Sequence, residues 1–149
     1  AVYVDEAETV EKLPQVAVTD VHTSGTMIAY EITRSIPSEY TVIEAGVLYG
    51  TSTSVLGNGS IDEKLRFADS NTNGATTDLK EKVYKRAFTS KSLEGSAIWY
   101  FDVGTTVDRA VYARGYVVVK DSKGQYHYVY SGVIDKTYQQ VANGDNGIN

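Results

Sequence analysis

The chain contains no cysteine, which excludes disulfide scaffolds and thiol chemistry and leaves the compartment open. An excess of basic charge is also missing. Lys and Arg number 14 against 19 Asp and Glu, giving a net charge of −5 and a pI of about 5.0. The electrostatic footprint of a nucleic-acid or anionic-lipid binder is therefore absent, and no nucleic-acid partner is expected. No apolar run approaches the roughly 20 residues of a membrane helix, so no membrane insertion is expected. Methionine occurs once, as Met27, and the first residue is Ala1. The chain thus reads as a mature form or an excised piece of a larger protein, without a signal peptide. Histidine occurs only at His22 and His127, and proline only at Pro14 and Pro37.

Tyrosine, by contrast, is abundant: 12 Tyr against 3 Phe and 1 Trp in 149 residues. Tyr combines strand propensity with a polar tip, which suits half-exposed sheet faces and ligand platforms. The length is sufficient for one domain with a real core.

Residues 1–14, AVYVDEAETVEKLP, read as an acidic linker, or as an extended arm if something pairs with it. Residues 15–140 read as a single domain and 141–149 as a flexible tail rich in Asn and Gly. Within the domain, strand-like runs are separated by turn signals, which predicts an all-β antiparallel sandwich. The runs are 15–23, 26–36, 41–53, 97–103, 110–121 and 125–134. Ile28, Tyr30 and Ile32 alternate with Ala29, Glu31 and Thr33 at the period of a half-buried strand. Between the third and fourth runs, a short strand is expected near Leu65–Phe67. Residues 77–88 fit either a helix or a strand, with the β-branched and aromatic residues favouring strand. Gly57-Asn58-Gly59 and Asn143-Gly144 read as turns, since neither leads from a strand into a helix as a phosphate loop does.

The string VYARGYVVVKDSKGQYHYVYSGVI resembles the last two strands of fibronectin type III-like domains, and IEAGVLYGTST resembles their third strand. The resemblance covers roughly 15–53 and 97–135. It implies a fibronectin type III- or immunoglobulin-like sandwich, of the kind found as modules in bacterial surface or secreted proteins. Residues 54–96 are longer than that pattern and read as an insertion. Such modules serve as spacers, adhesins and accessory domains, so the resemblance speaks to fold far more than to function.

Alternation along the strands sorts the side chains into faces. Ile43, Ala45, Val47 and Tyr49 are expected on one face of the third strand, with Glu44, Gly46 and Leu48 on the other. Val111, Ala113, Gly115, Val117 and Val119 form the apolar face of the 110–121 strand, opposite Tyr112, Arg114, Tyr116 and Val118. Glu44 and Arg114 then share an outer face, where a cross-strand ion pair is expected as a structural feature. The three-residue connection Ser122-Lys123-Gly124 predicts a hairpin in which Asp121 faces Gln125, Tyr116 faces Tyr130 and Val118 faces Tyr128. That register gathers Tyr112, Tyr116, Tyr126, Tyr128 and Tyr130 on the outer face. This face is the main candidate for docking a glycan or a protein, against the plainer alternative that Tyr simply suits a half-solvated sheet. Trp99 and Phe101 fall on one side of their strand, Ile98 and Tyr100 on the other. A lone Trp in a sandwich strand belongs in the core, and an exposed Trp99 would instead point to glycan binding.

Catalytic motifs are missing: there is no G-x-S-x-G, neither histidine has an evident partner, and no carboxylate pair stands out. The stretch Asp69-Ser-Asn71-Thr-Asn73-Gly74 opens like a calcium loop, but Lys80 occupies the position where a bidentate Glu is needed. Asp69, Asn71 and Asn73 therefore read as an Asx-turn loop, and no cofactor, calcium included, is expected. The chain is expected to be a non-catalytic extracellular or cell-surface module that contacts neighbouring domains or surface-assembly subunits. Two alternatives are a polysaccharide-binding module using the Tyr face or Trp99, and a virion or filament decoration subunit whose arm at 1–14 adds a strand to a neighbour.

Overall fold

A computed structural model describes residues 12–50, 65–67, 72–73, 83–103 and 110–148. The described residues form two sheets. The first has three strands, β1 (Gln15–Ser24), β2 (Met27–Ser35) and β6 (Glu94–Asp102), in the order β1-β2-β6. The second runs β4 (Thr72–Asn73), β5 (Tyr84–Ala87), β3 (Thr41–Gly50), β7 (Val111–Lys120), β8 (Tyr126–Tyr130). A further strand, β9 (Ile134–Lys136), also pairs with β7. All pairings are antiparallel except β4–β5. The result is an all-β, sandwich-like fold, as the turn spacing predicted.

The alternating residues of both sheets meet in one core. Val21, Ile28, Tyr30, Ile32, Trp99 and Phe101 from the first sheet pack on Val47, Tyr49, Val111 and Ala113 from the second. Trp99 stacks at 5.2 Å from Tyr30 and 5.0 Å from Phe101, and lies 4.5 Å from Tyr49 across the sheets. Ile98 and Tyr100, on the other side of β6, are exposed. The expected division of that strand therefore holds.

Close approach explains Gly115, at which an added Cβ would lie 2.6 Å from Ile32 and 2.8 Å from Val16. Gly25, at φ +60°, supplies the left-handed conformation for the two-residue connection between β1 and β2.

Tyr30 is fully buried and its hydroxyl has no hydrogen-bond partner, and burial pushes the phenol well above its ordinary pKa. An unpaired buried hydroxyl costs about 1–3 kcal/mol. Tyr30→Phe keeps the ring stack and removes that cost, so it is expected to raise unfolding stability by about 1 kcal/mol. Urea titration checks this, and a loss of stability would mean that the hydroxyl is paired.

Several local expectations are corrected. Ile43 does not join the inner face. Val42 pairs with Val119 and Glu44 with Val118, so Ile43 is the extra residue of a β-bulge, and it packs on the outer side instead. Residues 65–67 are not a strand. The last part of the expected insertion is regular structure: β5 joins β3, and β6 begins at Glu94. The expected 125–134 strand is broken into β8 and β9, because the Ser131 carbonyl accepts from the Arg114 guanidinium and the Ser131 hydroxyl accepts from the Gly115 N–H. The segment expected as a flexible tail is docked through Ile148. Thr137 caps a short helix, α1 (Tyr138–Ala142), through a capping box with Gln140. The Tyr138 hydroxyl donates to the Gly25 carbonyl at 2.7 Å, and Asn146 Nδ2 donates to the Val21 carbonyl at 3.0 Å.

Candidate functional site

The hairpin register is the predicted one: Tyr116 faces Tyr130, Val117 faces Val129 and Val118 faces Tyr128. Gly124, at φ +83°, supports the tight turn, and the Asp121 N–H donates to the Gln125 carbonyl at 2.9 Å. Tyr112, Tyr116, Tyr126, Tyr128 and Tyr130 therefore do lie on the outer side of the second sheet. They do not form an open platform.

Leu65, Arg66 and Phe67 cover the middle of that face. Leu65 is fully buried against Leu48, Tyr116 and Val118. The Phe67 ring lies 5.3 Å from Tyr116 and stacks at 5.7 Å on Tyr128, and its backbone N–H donates to the Tyr130 hydroxyl at 3.1 Å. Tyr116 is consequently only 1% exposed, a correction to its expected place in a docking face. Its hydroxyl donates to Glu44 Oε2 at 2.6 Å, and Lys85 Nζ lies 3.2 Å from the same oxygen. Burial pushes the Tyr116 phenol strongly up, and the hydrogen bond to the Glu44 carboxylate and its charge add to this. The guanidinium carbons of Arg114 and Arg66 lie 4.9 and 5.1 Å from the centre of the Tyr130 ring. Tyr112 and Tyr130 are half-buried, which leaves Tyr126 and Tyr128, 54% and 52% exposed, as the open remainder.

The expected Glu44–Arg114 pair is also corrected. Both point outward, but Arg114 faces Leu48 in the register and Glu44 faces Val118. Four residues of strand, about 13 Å, separate the two positions. Glu44 is taken by Tyr116 and Lys85, and Arg114 by the Ser131 carbonyl. Trp99, 8% exposed, belongs to the core and not to a surface platform.

Both histidines have carboxylate partners that sequence reasoning missed: His22 Nδ1 lies 2.8 Å from Asp20, and His127 Nε2 lies 2.7 Å from Asp121. Each pair is separated by a few residues on one strand or one hairpin, a local signal that was legible. Asp121 also accepts from the backbone N–H groups of Lys123 and Gln125, both at 2.9 Å. The His127 hydrogen bond, followed by those two backbone donors, holds the Asp121 carboxyl below its ordinary pKa. A carboxyl with a lowered folded pKa adds stability above its unfolded value, near 4, and loses it as pH falls through the folded value. The hairpin is therefore expected to loosen on acidification below about pH 4. Asp121→Asn is expected to flatten that part of the acid limb in melting temperature against pH, and an unchanged limb would sink this assignment.

Asp69 and Asn71 lie outside the described residues, and so does the Asn73 side chain, with only its backbone placed, opposite Lys85 in β4–β5. Among the described residues, no group of three or more His, Asp or Glu side chains is placed to hold a metal ion.

A shallow cleft of about 730 Å³ runs beside β8, lined by Leu13, Pro14 and Tyr40 together with Tyr126, His127 and Tyr128. The Tyr40 ring meets His127 edge-on at 5.9 Å.

No protein-family model matches the chain, and no curated protein does. Among solved structures it is similar to catalytically inactive OgpA from Akkermansia muciniphila in complex with an O-glycopeptide, at 14% identity and a TM-score of 0.36. The match covers 85% of this chain but only 30% of that one, and a likeness of this degree carries nothing about activity.

Proposed function

We propose that the chain is a fibronectin type III-like module of a bacterial surface or secreted protein, acting by contact with other protein surfaces and not by chemistry of its own. The family assignment is supported by the strand order, with the first, second and sixth strands in one sheet and the third flanked by β5 and β7–β8 in the other. The observation that carries the functional reading is how the Tyr face is used. Leu65–Phe67 covers its middle, Tyr116 is buried, and Tyr130 lies against two guanidinium groups, so most of the aromatic surface is spent inside the chain. What remains open is the β8 edge and its two exposed rings, a form suited to strand or side-chain contacts with protein.

Those same two rings favour a second reading. Tyr126 and Tyr128 lie on one side of a strand, about 7 Å apart, and are each about half exposed, so a polysaccharide could stack on them. A polysaccharide array with the full chain decides between the two. The interaction-module reading expects no saturable binding. Saturable binding that disappears in Tyr126→Ala and Tyr128→Ala would replace it with carbohydrate recognition.

A further inference from the structure

Asn-Gly dipeptides occur at 58–59, 73–74, 143–144 and 146–147, and the last two lie wholly among the described residues. This dipeptide carries chemistry of its own. The glycine nitrogen can attack the carbonyl carbon of the asparagine side chain, and glycine has no Cβ to obstruct the approach.

The two described pairs are held in different ways. Asn143 is exposed and closes α1 through its backbone. Its N–H donates to the Gln139 carbonyl, and the Gly144 N–H donates to the Val141 carbonyl, both at 3.0 Å. Asn146 is half-buried and is held by its side chain. Nδ2 donates to the Val21 carbonyl of β1 at 3.0 Å, and Oδ1 accepts from the Ile148 N–H at 3.0 Å. Gly147 has its own structural reason. Its φ is +78°, and a Cβ there would lie 3.3 Å from Ile134 Cδ1. The docked segment thus needs both halves of the reactive pair, Asn146 for its bonds and Gly147 for its conformation.

The docking also governs the reaction. In ring closure the Gly147 nitrogen loses its proton and bonds to Asn146 Cγ, the Cγ–Nδ2 bond breaks, and ammonia leaves. Water then opens the succinimide at either of its carbonyls and gives aspartate or isoaspartate. One amide and one water become one acid and one ammonia, with no oxidant or reductant. Because Nδ2 is the leaving group, closure must break its bond to Val21. The rate therefore follows the population in which the segment is open.

The product cannot redock in the same way. A carboxylate has no N–H to offer the Val21 carbonyl and sets an oxygen against an oxygen. The new charge also adjoins Asp145, which already pairs with Lys136 at 3.0 Å. Isoaspartate further lengthens the main chain by one carbon just before Ile148, which packs on the main core cluster. Conversion at Asn143 adds the same charge but leaves the Tyr138 and Asn146 bonds in place.

We propose that Asn146-Gly147 is a spontaneous modification site whose deamidation acts as a one-way latch. The docked segment suppresses the reaction, each opening permits it, and the acid formed keeps the segment released from β1.

Full-length chain held in mildly alkaline buffer and followed by peptide mapping with mass spectrometry reads Asn143 and Asn146 separately. The same chain unfolded in guanidinium chloride gives the unprotected rate. Asn146 is expected to convert several-fold more slowly in the folded chain. Tyr138→Phe keeps the ring and removes only the neighbouring bond to Gly25, so it is expected to speed that conversion several-fold. Equal rates in folded and unfolded chain, or in this variant and wild type, overturn the proposal. The second half of the latch is read on Asn146→Asp, one of the two products. Hydrogen exchange is expected to accelerate several-fold at the Val141, Asn143 and Asp145 amides, whose bonds close α1 and the turn after it. Wild-type exchange at these amides would show that the acid redocks, and overturns the proposal as well.

Discussion

Trp99→Ala is expected to cost about 3–5 kcal/mol of unfolding free energy, the range for truncating a large buried aromatic. Trp99 lies between Tyr30 and Phe101 of its own sheet and Tyr49 of the other, with ring centres at 4.5–5.2 Å. Removing it opens a cavity at the point where the two sheets meet, and the neighbouring rings cannot close in without leaving their own strands' packing. A domain of this size has about 5–15 kcal/mol in all, so the variant is expected to be marginal, with a melting temperature lower by roughly 10 °C or more. Circular dichroism is the suitable readout, because Trp99 is the sole tryptophan and fluorescence disappears with it. Trp99→Phe is expected to recover much of the loss. A deficit below about 1 kcal/mol would be that of a surface residue and would contradict the core assignment.

Gly46→Ala is expected to be nearly as damaging, at about 3 kcal/mol, the upper end of the range for overpacking. A Cβ on Gly46 would fall 2.1 Å from the Arg86 carbonyl oxygen and 2.9 Å from the Ala87 Cα. Both obstacles are backbone, so relief requires β5 to move away from β3. That movement would pull Tyr84 from its stack on Tyr49, now at 5.7 Å, and Lys85 from Glu44. The damage should be local. Hydrogen exchange is expected to accelerate at residues 84–88 first, including the Phe88 N–H that donates to Ala45, while the β1–β2 amides stay protected. Wild-type stability in the alanine variant would show that β5 does not approach this closely.

These contacts mark the boundary between what sequence pattern conveys and what it does not. The β7–β8 register was legible because a three-residue loop with glycine at its end leaves almost no freedom of pairing. The inward set on β2 was legible from strict alternation. The bulge at Ile43 was not, since one extra residue exchanges faces without changing composition. The Glu44–Arg114 pairing failed for a related reason: a face can be read from one strand, but the offset between two strands cannot. The cover over the Tyr face was the largest omission. Leu65 and Phe67 meet Tyr116 about fifty positions away in the chain, and their apolar alternation around Arg66 looks like a short strand. Only the tertiary contact distinguishes a strand from a plug.

The last stretch of chain bears on how the fold would resist tension. β9 is bonded into the second sheet, and beyond it Tyr138 and Asn146 are bonded to Gly25, in the β1–β2 connection, and to Val21 of β1. One short ribbon of backbone thus adds hydrogen bonds between two layers that side-chain packing also holds together. Tension applied beyond residue 148 would meet the Asn146 and Tyr138 tethers before it reached β9, so the fold would yield as a zip opened bond by bond from one end. The tethers on β1 and on the β1–β2 connection would act as sacrificial links, absorbing extension while the aromatic core stayed closed.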